Sequence, residues 1–256
     1  MDELDIRYDD GVLRLTMNRP DRRNAMTAAL SDRLAEELEG AATRDDARVV
    51  LLTGAGNAFS SGAELTGADP HEAFDVTSLD RANRIVRAIV ALDKPCVAAV
   101  RGVAAGVGCS AALACDLVVA SESASFVLAF SRIGLMPDGG ATATVAASVG
   151  RVRAMRLALL GEALPAGDAY TYGLVSHLVA DEDLDATVEA ILARLAAGPS
   201  LAYTATKRAV NAATLGALHG ALERERTGQT LLLRTQDAAE GMRAFVEKRP
   251  PRFVGA

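Results

Sequence analysis

The stretch from Lys94 to Asp116, KPCVAAVRGVAAGVGCSAALACD, constrains the fold more than any other part of the chain. A Lys-Pro break precedes Cys96 to Val100, a short apolar run that reads as a buried strand. Three spaced glycines follow, Gly102, Gly106 and Gly108, and then small residues to Ala114 that suit a closely packed helix. A strand thus feeds a turn, and the turn feeds a helix N-terminus. Backbone N–H groups without partners gather at such a terminus, and the helix dipole favours negative charge there. Two readings fit. The turn can hold a carbonyl oxygen that becomes anionic during a reaction, or it can serve only to bring a small-residue helix close to its neighbours.

The rest of the chain places this unit in an α/β setting. Leu4 to Tyr8 and Val12 to Met17 read as strands about an Asp-Gly turn, and Val49 to Thr53 as another. Thr27 can cap a helix to about Ala42, with Leu30, Leu34 and Leu38 on one face. Arg81 to Leu92 reads as a helix. Leu117 to Ala120, Phe126 to Phe130 and Leu174 to Val179 read as strands. Pro137-Asp138-Gly139-Gly140 marks a helix start, with helices predicted to about Val149 and over Val152 to Leu160. Thr66 to Asp80 is polar and aperiodic, the pattern of a loop that carries specificity. Beyond Asp181 the pattern is helical, broken at Gly198-Pro199 and near Gly216. The expected division is an α/β core over 1–194 and a helical region over 195–256.

Composition narrows the function classes. Aromatics make up 4% of the 256 residues and tryptophan is absent, so Ala, Val and Leu must build the core. A net charge of −6 argues against a nucleic-acid surface. Cys96, Cys109 and Cys115 lack metal-ligand spacing and read as reduced core thiols of a cytoplasmic protein. The acidic N-terminus has no leader pattern, and Arg101 and Asp116 interrupt the longest apolar runs, so no membrane span is expected. The glycines do not form GxGxxG, and Ser110 does not sit in GxSxG. His71, His177 and His219 lie in three unrelated contexts and are read as surface or packing residues.

Five segments, taken together, resemble the enoyl-CoA hydratase/isomerase (crotonase) superfamily. They are NRPDRRNAM at 18–26, VVLLTGAGNAFSSGAEL at 49–65, KPCVAAVRGVAAGVGCSAALACDLVVAS at 94–121, FSRIGLMPDGGAT at 130–142 and ALLGEALPAGDAYTYGLV at 158–175. The resemblance extends to FVEKRPPRF near the C-terminus. It implies a spiral of ββα units with a helical C-terminal region, assembled as a homotrimer or hexamer. It implies acyl-CoA thioester substrates, with coenzyme A as part of the substrate and no metal or redox cofactor. It implies that the backbone N–H groups of Ala63 and Val107 hold the thioester oxygen. Arg23, Ala25, Glu64, Leu65, Phe130 and Lys248 then fall at substrate-binding positions, with Arg22 a further phosphate partner.

The departures from the family pattern carry information of their own. Hydratases of the family use two glutamates to handle water, and here those positions hold Ser110 and Phe130. Neither exchanges a proton with water near neutral pH. FVLAFSRIGLMPDGG resembles the branch containing ring-1,2-epoxyphenylacetyl-CoA isomerase. Asp138 also falls where a dehalogenating branch carries its nucleophile, although that branch's other features are not evident. Three readings follow: an isomerase or lyase with Asp138 as base, an altered hydratase, and a binding protein without chemistry. Asp138 can equally cap the helix that starts beside it. Should it do only that, Asp69, His71 and Glu72 are the next proton carriers to consider.

Overall fold

The computed structural model describes residues 2–65, 71 and 75–256. Strands β1 (Leu4–Asp9) and β2 (Val12–Met17) form the expected hairpin across Asp10 and Gly11, both at positive φ. β2 then pairs in parallel with β3 (Val49–Gly54), β3 with β4 (Cys96–Val100), and β4 with β6 (Leu117–Ser121). β9 (His177–Val179) closes the edge, giving a six-stranded sheet in the order β1-β2-β3-β4-β6-β9. A smaller sheet joins β5 (Val103–Ala105), β7 (Ser125–Val127) and β8 (Ala163–Pro165) in the order β5-β7-β8. Twice the chain crosses from the large sheet to the small one before a helix. β4 and β5 lead to α3 (Val107–Ala114), and β6 and β7 lead to α4 (Ala141–Leu160). This is the ββα repetition that the resemblance implied.

The central strands β3, β4 and β6 are buried on both faces, which is why they read as short apolar runs. One face (Leu13, Leu15, Val50, Leu52, Ala98 and Val100) packs in a single core with residues of α1 (Ala28–Gly40) and α2 (Val76–Ala91). The other face, with Val49, Leu51, Val97 and Val119, is covered by Leu184, Val188 and Leu192 of α6 (Leu184–Ala197). The three cysteines are free and buried. Among the described residues no helix is long and apolar enough to cross a membrane.

Several predicted elements are corrected. α2 begins at Val76 rather than Arg81, because Asp75 caps it by accepting from the Thr77 N–H at 2.8 Å. The Phe126–Phe130 strand ends at Val127, where its partner β5 runs out, and Ala129–Ile133 coils into a 3-10 turn that carries Phe130. The strand expected from Leu174 begins only at His177. The two helices predicted on either side of Val149 are borne out: the run Ala141–Leu160 breaks at Gly150, whose φ of 77° and ψ of 163° are not helical. β5, β8 and α5 (Ala166–Tyr172) were not anticipated. α7 (Ser200–Thr214), α8 (Leu218–Leu232) and α9 (Gln236–Val246) follow the predicted breaks at Gly198-Pro199 and Gly216, with one further break after Leu232. Lys248 lies beyond the last helix, which ends at Val246, and not within it. Asp69 and Glu72 fall outside the described residues; the His71 ring meets the carbonyl of Leu233.

Candidate active site

A cavity of about 390 Å³ opens beyond the carboxyl ends of β3 and β4, the region where α/β sheets place ligands. The loop that follows β3 is held by the segment before α1. Asn24, fully buried in the left-handed conformation, donates through its amide to the carbonyls of Ala55 and Ala58 at 2.9 and 2.7 Å. Ser60 donates to the Asn24 carbonyl at 2.8 Å and accepts from the Gly62 N–H at 3.2 Å. Met26 then pairs with both neighbours of Ala63: its N–H donates to Gly62, and its carbonyl accepts from Glu64. Alternation along an extended segment turns the Ala63 N–H to the opposite side, and Ala63 lines the cavity.

The second wall of the cavity is the N-terminus of α3. Gly106, at φ of 52°, is its N-cap, and Val107 is the first helical residue. The Gly106 N–H donates to Val127, which fixes the turn on the smaller sheet. Neither the Ala63 nor the Val107 N–H has an acceptor among the described residues. The two segments meet because Gly62 lacks a side chain: a Cβ there would stand 2.9 Å from the Ala105 carbonyl oxygen, at φ of +92°. Two free N–H donors from facing segments, one reinforced by a helix dipole, are groups that can hold an oxygen as it gains charge.

Asp138 is buried and lines the same cavity. Its role as a helix cap is not what the structure shows. Gly140 is the N-cap of α4 and makes no side-chain cap bond. The terminus is filled from a distance by the buried Glu225, which accepts from the N–H groups of Gly140 and Thr142 at 2.7 and 2.9 Å and from the Thr142 hydroxyl at 2.5 Å. Asp138 instead accepts at Oδ2 from the Gln229 amide at 3.0 Å, while its buried Oδ1 has no partner among the described residues. Burial pushes this carboxyl up to about 7; the Gln229 hydrogen bond opposes that, and the Glu225 charge adds to it. A buried carboxyl poised near neutrality can take up and release a proton.

Ser110 and Phe130, the positions that the resemblance assigns to water-handling glutamates, are both buried. Ser110 is fully buried and donates to the Asp138 main-chain carbonyl at 2.8 Å, so it braces the Asp138 turn. Phe130 is a buried apolar wall of the cavity. Glu64 and Leu65 also line it, with Glu64 paired to Arg19 at 2.8 Å. Ala25, Arg23 and Lys248 do not line it. Ala25 is buried and its carbonyl accepts from Arg19, whereas Arg22, Arg23 and Lys248 are exposed. Sequence reasoning missed Asn24, Ser60, Glu225 and Gln229. Asn24 had a usable signal in the NRPDRRNAM segment, since asparagine tolerates the left-handed region there. Glu225 and Gln229 had none, being ordinary polar residues of a surface-like helix.

The family model for enoyl-CoA hydratase/isomerase matches residues 7–256. The chain is 41% identical to the 1,2-epoxyphenylacetyl-CoA isomerase of Escherichia coli K12, covering 96% of each chain. It is 39% identical to the 2,3-dehydroadipyl-CoA hydratase of the same organism over the whole of both chains. An enoyl-CoA hydratase crystal structure from Mycobacterium avium subsp. paratuberculosis superposes with a TM-score of 0.93 at 49% identity, covering 99% of each chain. The free N–H groups of Ala63 and Val107, on facing segments, thus occur in a chain matched from end to end by these proteins, and the chain belongs to the enoyl-CoA hydratase/isomerase family.

Proposed function

We propose that the protein is an acyl-CoA isomerase that moves a double bond through a thioester enolate, with Asp138 as the base. The observation that carries this reading is the unpartnered Oδ1 of Asp138, buried in the cavity that Ala63 and Val107 also line. With a 3-enoyl thioester, the Asp138 carboxylate removes a proton from the α carbon. The C–H electron pair moves through the carbonyl carbon onto the thioester oxygen, where the two N–H groups hold it. The protonated Asp138 then returns the proton at the γ carbon, and the double bond ends next to the carbonyl. No water is consumed, in keeping with Ser110 and Phe130 at the positions where water-handling glutamates would stand. The likeness to the 1,2-epoxyphenylacetyl-CoA isomerase supports this reading.

A second reading, hydration, is favoured by the likeness to the 2,3-dehydroadipyl-CoA hydratase. A panel of acyl-CoA thioesters incubated in deuterated, oxygen-18-enriched water and followed by mass spectrometry separates the two. The isomerase reading expects a 3-enoyl thioester to give its 2-enoyl isomer without oxygen uptake, with deuterium entering only as far as the protonated Asp138 exchanges with solvent, and crotonyl-CoA hydration far below a kcat/KM of about 10⁶ M⁻¹s⁻¹. Rapid oxygen uptake into product would establish hydration. Absence of any turnover across the panel would favour a binding protein without chemistry. Arg22, Arg23 and Lys248 are proposed to meet the coenzyme A phosphates from the cavity's surroundings. Including pantetheine thioesters in the panel tests that, since these should show a higher KM; an equal KM would rule those phosphate contacts out.

The helical region over 195–256 is proposed to assemble the chain as a homotrimer or hexamer. Leu201, Val210, Leu231 and Phe245 are exposed apolar residues on its helices, a surface that calls for a partner. Light scattering at micromolar concentration should give at least three times the 26.6 kDa chain mass. A monomer would refute this assembly.

A further inference from the structure

We infer that Gln229 and Glu225, one turn apart on α8, are positioning residues for Asp138: Gln229 leaves one carboxylate oxygen free in the cavity, and Glu225 keeps the N-terminus of α4 from claiming it. The inference builds on the proposal above that Asp138 is the base.

Three hydrogen bonds fix the arrangement. The Met136 N–H donates to Gln229 Oε1 at 3.1 Å, so that end of the amide must be the acceptor. The other end, Nε2, then has to donate, and it does so to Asp138 Oδ2 at 3.0 Å. Gln229 is itself fully buried, so the 136–138 turn is clamped at both ends by a side chain with no freedom to swing away. With Oδ2 engaged, Oδ1 remains as the buried oxygen without a partner.

Glu225 acts through the helix. Asp138 lies two residues before the Gly140 N-cap, where the N–H groups of an uncapped terminus would draw a carboxylate into hydrogen bonding. Both Glu225 oxygens take those groups, at Gly140 and Thr142; burial pushes the Glu225 carboxyl up, and these hydrogen bonds oppose that by favouring the ionised form. The terminus is thereby neutralised and a negative charge is placed near Asp138, which favours its protonated form. Arg224 lies beside Glu225 and acts on it. α2 and α3 present uncharged Val86 and Ser110 to the adjoining Gly139, while Glu64, Asp75, Arg81 and Arg132 are the charged groups lining the cavity. The region beyond residue 195 therefore completes the site as well as extending the fold.

Carbon-13 NMR of protein labelled at the aspartate carboxyls, with the Asp138 signal assigned by its loss in Asp138→Asn, reads the positioning without relying on turnover. Glu225→Gln should lower the Asp138 titration midpoint by about half a pH unit or more, and Gln229→Met should raise it by a similar amount. With trans-3-hexenoyl-CoA as probe, the acid limb of the kcat profile should move with each midpoint. Gln229→Met should lower kcat about tenfold with KM within about twofold. Urea unfolding of both variants serves as the folding control. A midpoint unmoved in both folded variants overturns the positioning and leaves Glu225 and Gln229 as packing residues. A midpoint that moves while Asp138→Asn keeps full turnover overturns the base assignment instead.

Discussion

Asp138→Asn is expected to lower turnover at least a hundredfold while making the protein more stable above pH 7. The loss follows from removing the proton carrier while keeping its shape; general-base contributions run from about 10² to 10⁴. The gain follows from burial. Asp138 ionises near 3.8 when exposed and near 7 when folded. A folded value raised in this way means that the stability contributed by the neutral carboxyl is complete below about pH 4 and is lost as the pH rises through about 7. At pH 8 the native state carries an ionised carboxylate that has only the Gln229 hydrogen bond, at a cost of up to about 4 kcal/mol. Asn removes that charge but leaves an amide N–H unpaired, which returns about 1–2 kcal/mol. Urea unfolding should therefore show a net gain of about 2 kcal/mol at pH 8 and little change at pH 5. Full activity in the variant would move the search for the proton carrier to His71 and the segment around it. Equal stability at both pH values would show that water reaches the Asp138 carboxylate freely.

Gly62→Ala should abolish most activity by a different route. The added methyl group would sit 2.9 Å from the Ala105 carbonyl oxygen, and the backbone there has φ of +92°, which L side chains rarely adopt. Relief has to come from separating the Ala63 segment from the Gly106 turn. The two N–H donors then no longer converge on one oxygen, and losing one such donor costs about 3 kcal/mol of barrier, roughly a hundredfold in kcat. The contacts that hold the fold lie elsewhere: Asn24 still ties the loop after β3, and β3 itself pairs in the sheet. The variant should remain folded by circular dichroism and still titrate Asp138 near 7. Undiminished kcat on a thioester that the wild-type protein turns over would remove Ala63 and Val107 from the mechanism. The contrast between the variants is informative, because one removes the proton carrier with the oxygen site intact and the other does the reverse.

The glycine-rich stretch was legible because its consequences are local. An apolar run such as Cys96–Val100 needs only its own residues and two buried faces to become a strand. Gly106 can enter its positive-φ conformation without a steric penalty, so Val107 begins a helix wherever the rest of the chain lies. The hairpin about Asp10-Gly11 and the Thr27 cap, which accepts from Leu30 at 3.0 Å, were readable for the same reason. Errors arose where a neighbour distant in sequence decided the outcome. Phe130 left the strand pattern because β5 offers no partner beyond Ala105, and a sequence window cannot see the length of its partner.

Asp138 shows the limit most clearly. Beside Pro137 and before two glycines it has the sequence of a helix cap, and local chemistry favours that role. What decides against it is Glu225, 85 positions beyond Gly140, which fills the helix terminus first. Gln229, 91 positions beyond Asp138, then holds one carboxylate oxygen and leaves the other bare. The sequence by itself determined the central strands, the turn that frees the Val107 N–H, and the presence of Ser110 and Phe130 where the resemblance implies a water-handling pair. Only the tertiary structure decided that Asp138 is buried, half-satisfied and pushed up to about 7. Backbone conformation follows from neighbours along the chain, whereas the proton affinity of a buried carboxyl follows from whichever groups the fold packs around it.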